Sequence, residues 1–223
     1  MKKYAVIVAA GSGKRMGSEI PKQFLELAGR PVLMHSIGQF TEYDDTTIII
    51  VVLPQEQIPY WKSLSERYSF GIPHIIVKGG DKRFHSVRNG LEMVDAPGLV
   101  AIHDGVRPLV SKDTIRRCFE AAGKKGSAIP VISPADSIRM VTGQGSVSVN
   151  RLHVKMVQTP QVFDANLIKK AYLQEYSDDF TDDATVLERA GETVFLVEGN
   201  PENIKITTPE DLLVAKTLFP TIS

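Results

Sequence analysis

The residues with the most chemical potential stand directly behind an apolar run at 4–9, where the chain reads AAGSGKRMGSEIPKQ over residues 9–23. Gly11 and Gly13 let the backbone approach an anion closely, so that N–H groups can face phosphate oxygens. Lys14, Arg15 and Lys22 add positive charge beside them. The combination suits a nucleoside triphosphate, although a glycine-rich turn alone also ends many strands for steric reasons. Two other phosphate fingerprints fail. A P-loop needs Ser or Thr after Gly13-Lys14 and a glycine five places before Gly13, but the chain has Arg15 and Val8. A dinucleotide site needs glycine at 16 and an acid about 20 residues further on, but the chain has Met16 and then Arg30-Pro31.

Three further polar stretches follow apolar runs. They are Gly79-Gly80-Asp81-Lys82-Arg83 with Ser86, Asp104 with Arg107, and Asn203 with Lys205. Asp104 is placed either to hold Mg²⁺ beside phosphates, which takes only one or two protein carboxylates, or to pair with Arg107 and cap the next turn. His103 has no His or Cys at ligand spacing, so it is expected to pack beneath the site, and no zinc is assigned. Thr181-Asp182-Asp183 reads as a helix N-cap with acids favouring the dipole. With no local Ser-His-acid set and no cysteine elbow, phosphate chemistry fits best.

These stretches need a scaffold that brings strand ends together. Strand-length apolar runs fall at 4–9, 48–53, 74–77, 99–103, 128–132 and 193–197, and most are too continuous to have a wet face. Helical periodicity occupies 32–40, 56–68, 84–94, 112–122, 167–176 and 184–190. The alternation predicts an α/β fold with a mostly parallel sheet covered on both faces. Ligands of such sheets bind beyond the carboxyl ends of the strands, which would unite the four polar stretches. Thr208, Pro209 and Asp211 announce a last helix. Between about 133 and 159 the pattern breaks into β-prone pieces at 137–141 and 146–150 around Thr142-Gly-Gln-Gly145, a hairpin signature. A hairpin with so little apolar surface is marginal alone, so it is expected to pack on something else, a dimer partner being the natural choice.

The 223 residues suffice for one domain, 1–223, carrying the inserted arm. Lys plus Arg and Asp plus Glu balance at 26 each, against a general nucleic-acid binder. The lone Cys118, expected in the core, excludes an internal disulfide. No apolar stretch reaches 18 residues and no signal segment is recognised, so a soluble cytoplasmic protein without membrane contact is expected.

Taken in order, the motifs AAGSGKRMG with PKQ, GGDKRFHSV, HDGVRP, Arg151 followed by QTPQVF, TDD, and ENIKIT followed by TPEDL resemble those of the sugar-phosphate cytidylyltransferases over essentially the whole chain. The resemblance is strongest to the branch acting on 2-C-methyl-D-erythritol 4-phosphate in non-mevalonate isoprenoid synthesis. It implies a Rossmann-like nucleotidyltransferase fold with a protruding β-arm exchanged in a homodimer. The implied reaction is transfer of CMP from CTP to the sugar phosphate, with Mg²⁺ and release of pyrophosphate. By motif, Ala9, Ala10, Gly11 and Gly13 resemble the CTP loop, and Gly80, Asp81 and Ser86 the segment reading cytosine and ribose. Asp104 resembles the metal ligand. Arg15 and Lys22 resemble the pair that stabilises the transition state, and Arg151 and Lys205 the pair that positions the acceptor phosphate. Gly105, Arg107, Ser137, Thr159 and Thr181 fall to the acceptor pocket, some supplied by the partner subunit. The chain departs from the usual HDAARP at Gly105 and Val106, and the valine also occurs in the ribitol 5-phosphate branch. Its approach to the arm, residues 130–137, is longer than usual and ends in Ser137, and residues 152–156 lack a tryptophan often found there.

Such chemistry needs no general base, because a phosphomonoester acceptor is already largely dianionic at neutral pH, with a second pKa of about 6. The protein must instead gather two polyanions in line, with cations on the α-phosphate and leaving group and a separate clamp on the acceptor. Three alternatives are a ribitol 5-phosphate cytidylyltransferase, a nucleotide-sensing module without turnover, and an NAD(P)-dependent reductase.

Overall fold

The computed structural model describes residues 1–11, 20–95 and 97–219. In chain order the elements are β1 (Lys2–Val8), the short ladder β2 (Glu26–Leu27) and β3 (Arg30–Pro31), α1 (Val32–Tyr43), β4 (Ile48–Leu53), α2 (Ile58–Arg67), β5 (Ile75–Lys78), α3 (Arg83–Leu91), β6 (Gly98–Asp104), α4 (Lys112–Lys125) and β7 (Ser127–Ile132). The arm strands β8 (Ile138–Thr142) and β9 (Gly145–Val149) follow, then β10 (Met156–Val157), β11 (Gln161–Asp164), α5 (Ala165–Ala171), α6 (Asp183–Arg189), β12 (Leu196–Glu198) and α7 (Pro209–Leu218).

Across the main sheet the order is β12-β7-β11-β6-β1-β4-β5, with β10 extending the path of β11 along β7. β1 runs parallel to β4 and β6, and β4 parallel to β5. Alternate residues of β1 serve opposite faces. Ala5 and Ile7 join a core with Leu33, Ile37 and Phe40 of α1, Trp61 of α2 and Phe119 of α4. Tyr4 and Val6 join the other, with Val87 of α3, Ile168 of α5 and Leu187 of α6. A strand buried on both faces needs an unbroken apolar run, which is why 4–9 and 48–53 show no alternation. Each fully buried Val, Leu or Ile contributes about 1.5–3 kcal/mol of transfer free energy.

Besides the two-residue strands β2, β3 and β10, one longer strand has no counterpart among the runs expected from the sequence. β11 lies inside the QTPQVF motif and runs antiparallel to both β6 and β7. β10 and β11 form one path interrupted over residues 158–160, so the pairing of Met156 with Ile132 and of Val162 with Ala128 brackets a stretch whose side chains are free to turn into the strand-end region. The helix expected at 167–176 starts earlier, at Ala165, because the Asp164 side chain accepts from the Asn166 and Leu167 N–H groups and caps it, and it stops at Ala171. The strand expected at 193–197 is shorter and shifted toward the C-terminus, at Leu196–Glu198.

The remaining boundaries follow local rules. Ser111 caps α4, and Gly126, left-handed at φ 86°, closes it. Thr208 and Asp211 form the expected capping box of α7. The hairpin forms with Thr142 opposite Gly145, as a two-stranded ladder separate from the main sheet. Its Met140 and Val141 and the nearby Leu152 are exposed. No described helix is long and apolar enough to cross a membrane.

Candidate active site

The parallel strands end at one rim of the sheet, and backbone hydrogen bonds carry their pairing into the loops beyond. Ala9 N–H donates to Val52 O at 2.9 Å, Gly79 N–H to Leu53 O at 2.7 Å, and Gly105 N–H to Val8 O at 2.9 Å. Between these loops lies a cavity of about 370 Å³, within the size range of small-molecule sites. Ala9, Ala10 and Gly11 line one side, Gly80, Asp81, Lys82 and Arg83 another, and Lys22, Asp104 and Lys205 complete it. Four separated segments therefore meet as expected.

The walls depend on close backbone approach. A Cβ on Gly79 would stand 2.8 Å from the Ala10 Cβ, and one on Gly80 would overlap the Cβ of His85. Ser86 is buried; its hydroxyl accepts from Gly80 N–H at 3.0 Å and donates to Lys82 O at 3.1 Å. It shapes the 80–83 loop from beneath and is not part of the cavity lining. On the opposite wall the buried Gln23 donates to Ala9 O at 2.9 Å and to Gln57 Oε1 at 2.7 Å. This ties the PKQ segment, and with it Lys22, to the end of β1.

Asp104 is the electrostatic centre. Its Oδ2 lies 3.0 Å from Lys205 Nζ and 3.3 Å from Arg107 Nε, and its Oδ1 lies 3.7 Å from Arg83 Nε. Burial opposes its charged form, but Arg83, Lys205 and Arg107 outweigh that and hold the carboxyl well below the usual carboxylate range. Asp104 is thus an anion held by cations, with no capacity to act as a base near neutral pH. Beneath it, the Asp104 N–H donates to Thr159 Oγ1 at 3.1 Å, and Thr159 pairs with His103 Nδ1 at 2.9 Å. His103 Nε2 meets Arg107 O at 3.0 Å, and since a carbonyl only accepts, this nitrogen carries the proton and Thr159 donates to Nδ1. Burial pushes His103 down to about 4. It is a neutral support beneath the site, as its sequence context indicated.

Several residues expected in the acceptor pocket are placed differently. Thr159 is buried and committed to Asp104 and His103. Arg107 binds the Asp104 carboxylate and, at 2.7 Å, the Asn203 carbonyl, and is not in the cavity lining. Gly105 backs onto Ala9, where an added Cβ would stand 3.0 Å away. Ser137 and Arg151 are exposed on the arm and Thr181 is exposed before α6, and none of them lines the cavity within one chain. Arg151 Nη1 donates to Ala135 O at 2.6 Å. Gly13 and Arg15 lie outside the described residues.

The QTPQ stretch also does more than its sequence indicated. Gln158 donates to Asn200 O at 2.9 Å and holds the turn that leads to Lys205. Gln161 donates to Asp182 Oδ2 at 2.8 Å and accepts from Ala184 N–H at 2.9 Å, fixing the start of α6. Asp182 is the N-cap of α6, as expected, within a capping box with Thr185. Asp183 instead is fully buried and bound by Arg83, a pairing with no local signal in the sequence.

Among the described residues no three His, Cys, Asp or Glu side chains gather as a metal cage. Asp81 and Asp104 are the acidic residues that line the cavity, and a Mg²⁺ that shares its shell with substrate phosphates and waters takes only one or two protein carboxylates.

Comparison with known proteins agrees with this arrangement. The family described as 2-C-methyl-D-erythritol 4-phosphate cytidylyltransferase matches residues 4–220. Proteins of that name from Bacteroides thetaiotaomicron and Bacteroides fragilis are 52% and 54% identical to this chain over 219 and 215 residues. These alignments cover 98% and 96% of the chain and 100% and 98% of the relatives. Among solved structures, the 4-diphosphocytidyl-2C-methyl-D-erythritol synthase of Anaerococcus prevotii superposes with a TM-score of 0.83 at 31% identity, covering 98% of this chain and 96% of its own. The 2-C-methyl-D-erythritol 4-phosphate cytidylyltransferase of Thermus thermophilus gives 0.79 at 32%, covering 98% of both. With the fold, the ordered motifs and the strand-end cavity in agreement, the chain belongs to the 2-C-methyl-D-erythritol 4-phosphate cytidylyltransferase family.

Proposed function

We propose that this chain transfers CMP from CTP to 2-C-methyl-D-erythritol 4-phosphate in the cytoplasm, releasing pyrophosphate and forming 4-diphosphocytidyl-2-C-methyl-D-erythritol. The convergence of Lys22, Asp104 and Lys205 on one glycine-walled cavity carries this reading. The backbone of residues 9–11 receives the CTP phosphates, and the 80–83 loop faces the cytidine. Lys22, with Arg15, neutralises charge that develops on the α-phosphate and the leaving pyrophosphate. Asp104 would hold Mg²⁺, which when bound would offset the charge of the CTP phosphates. Lys205 engages the acceptor phosphate from one side, and Arg151, brought by the arm of a partner subunit, from the other. Asp104 is locked among cations and His103 is neutral with both ring nitrogens engaged. Neither is poised as a base, in keeping with an acceptor that is already an anion.

The homodimer is supported by the arm's exposed Met140, Val141 and Leu152, which a second copy would cover. Ribitol 5-phosphate is the alternative acceptor raised by Gly105-Val106. Pyrophosphate release, measured with CTP across a panel of sugar phosphates, is expected to be fastest with 2-C-methyl-D-erythritol 4-phosphate. A higher kcat/KM for ribitol 5-phosphate would reassign the substrate, and no release with any acceptor would favour a binding module.

A further inference from the structure

Arg83 and Asp183 are separated by 100 residues in sequence and meet in a two-pronged ion pair, Nη1 to Oδ1 at 2.8 Å and Nη2 to Oδ2 at 2.6 Å. Asp183 is fully buried, and its Oδ1 also accepts from the Tyr172 hydroxyl at 2.6 Å. The third guanidinium nitrogen of Arg83, Nε, turns to Asp104 at 3.7 Å. The neighbouring Phe84 stacks on Tyr172 and Phe180 at 4.7 and 5.5 Å between ring centroids. The first turn of α3, at the end of the nucleotide-side loop, is therefore bolted to the first turn of α6 and to the carboxylate at the centre of the site.

Stability alone does not account for this pairing. α6 already has its cap in Asp182, and Gln161 braces the same turn. A buried ion pair is often no more stabilising than apolar side chains of the same volume, because each charge must be stripped of water. A bidentate guanidinium–carboxylate pair supplies fixed direction as well as energy. We infer that Arg83 and Asp183 are a positioning pair, a strut that holds the Thr181–Asp183 turn in register with Asp104 and the 80–83 loop. It sets acceptor binding and alignment without being a ligand of CTP. The inference rests on the acceptor-side role that the motif resemblance implies for Thr181, which immediately precedes the Asp182 cap of α6.

The test uses the full-length protein carrying Arg83→Lys or Asp183→Asn. A third protein combines Arg83→Met, Asp183→Leu and Tyr172→Phe, which removes the buried charges together. Each is assayed at a temperature where circular dichroism shows it folded. CTP affinity is measured by calorimetry, and rates are measured against acceptor concentration. Acceptor KM is expected to rise about tenfold and kcat to fall about tenfold in all three, with CTP Kd weakened no more than about threefold, since Arg83 only ends the loop that faces the cytidine. A fall in melting temperature with acceptor KM unchanged would make the pair merely structural and overturn the inference. A CTP Kd weakened as much as the acceptor KM would overturn it too, by making Arg83 a nucleotide ligand. Thr181→Ala separates the layers: a raised acceptor KM there with wild-type behaviour in the strut variants rejects the strut alone. An acceptor KM unmoved by Thr181→Ala, with the strut variants still raising it, rejects the acceptor role of Thr181 and with it the route by which the strut is argued to act.

Discussion

Asp104 shows how one carboxylate can organise cations without neutralising them. Arg83, Arg107 and Lys205 surround it, so the local sum stays positive, and Lys22 adds to it from across the cavity. In a site partly shielded from water, a fixed cation beside a developing phosphate charge is worth far more than in bulk solvent. Lys22→Ala should therefore lower kcat by roughly 10²-fold or more, about 3 kcal/mol of lost transition-state stabilisation. Steady-state rates of the purified variant check this, and near-normal turnover would remove Lys22 from the chemistry. Gln23 holds the end of β1 beside it, so in the proposed reading the PKQ motif divides into a lysine for the substrate and a glutamine for the scaffold.

How far these parts are legible in the sequence depends on where their information lies. β4 is legible with its observed bounds, 48–53, because a doubly buried strand is written in its own composition. The gathering of Lys22, Asp104 and Lys205 is legible because position after a strand decides it in an open sheet. β11 is not: four residues behind Pro160, with buried polar Gln161 at its start, carry too weak a β signal. The roles of Gln158, Thr159 and Gln161 follow from that antiparallel path, which brings one short stretch to three loops. Gln158→Ala should free the 199–203 turn and displace Lys205, raising the acceptor KM several-fold while leaving CTP binding intact; acceptor titration and calorimetry decide. A second join between elements is electrostatic. Lys3 Nζ on β1 donates to Asp44, the C-cap of α1, at 2.7 Å. Hydrogen bonds from Lys3 and Thr46 hold the Asp44 carboxyl down to about 2. Since this folded value lies below the unfolded 3.8, its contribution is present above about pH 4 and lost as pH falls toward 2. Allowing for partial exposure, Asp44→Asn should cost about 1–2 kcal/mol at pH 7 and almost nothing at pH 2, as read from denaturant unfolding. An equal cost at both pH values would show that charge is not the cause.

In the whole molecule, the body carries the strand-end cavity while the arm carries Arg151 and Ser137, exposed and not among the residues that line it. A complete acceptor pocket is therefore a property of two chains in the proposed reading. Arg151→Ala should raise the acceptor KM at least tenfold and leave CTP affinity unchanged. An unaltered acceptor titration would exclude the arm from the pocket. The composition foreshadows the division only in part: the hairpin is legible from its turn, whereas what its exposed apolar residues meet is not encoded locally.

The excursion into the arm leaves the sheet at Ile132 and rejoins it at Met156, and these two residues pair directly. An insertion whose two stems are already neighbours behaves as a removable cassette: its length and chemistry can drift, or be swapped between homologues, without disturbing the strand order that builds the nucleotide cavity.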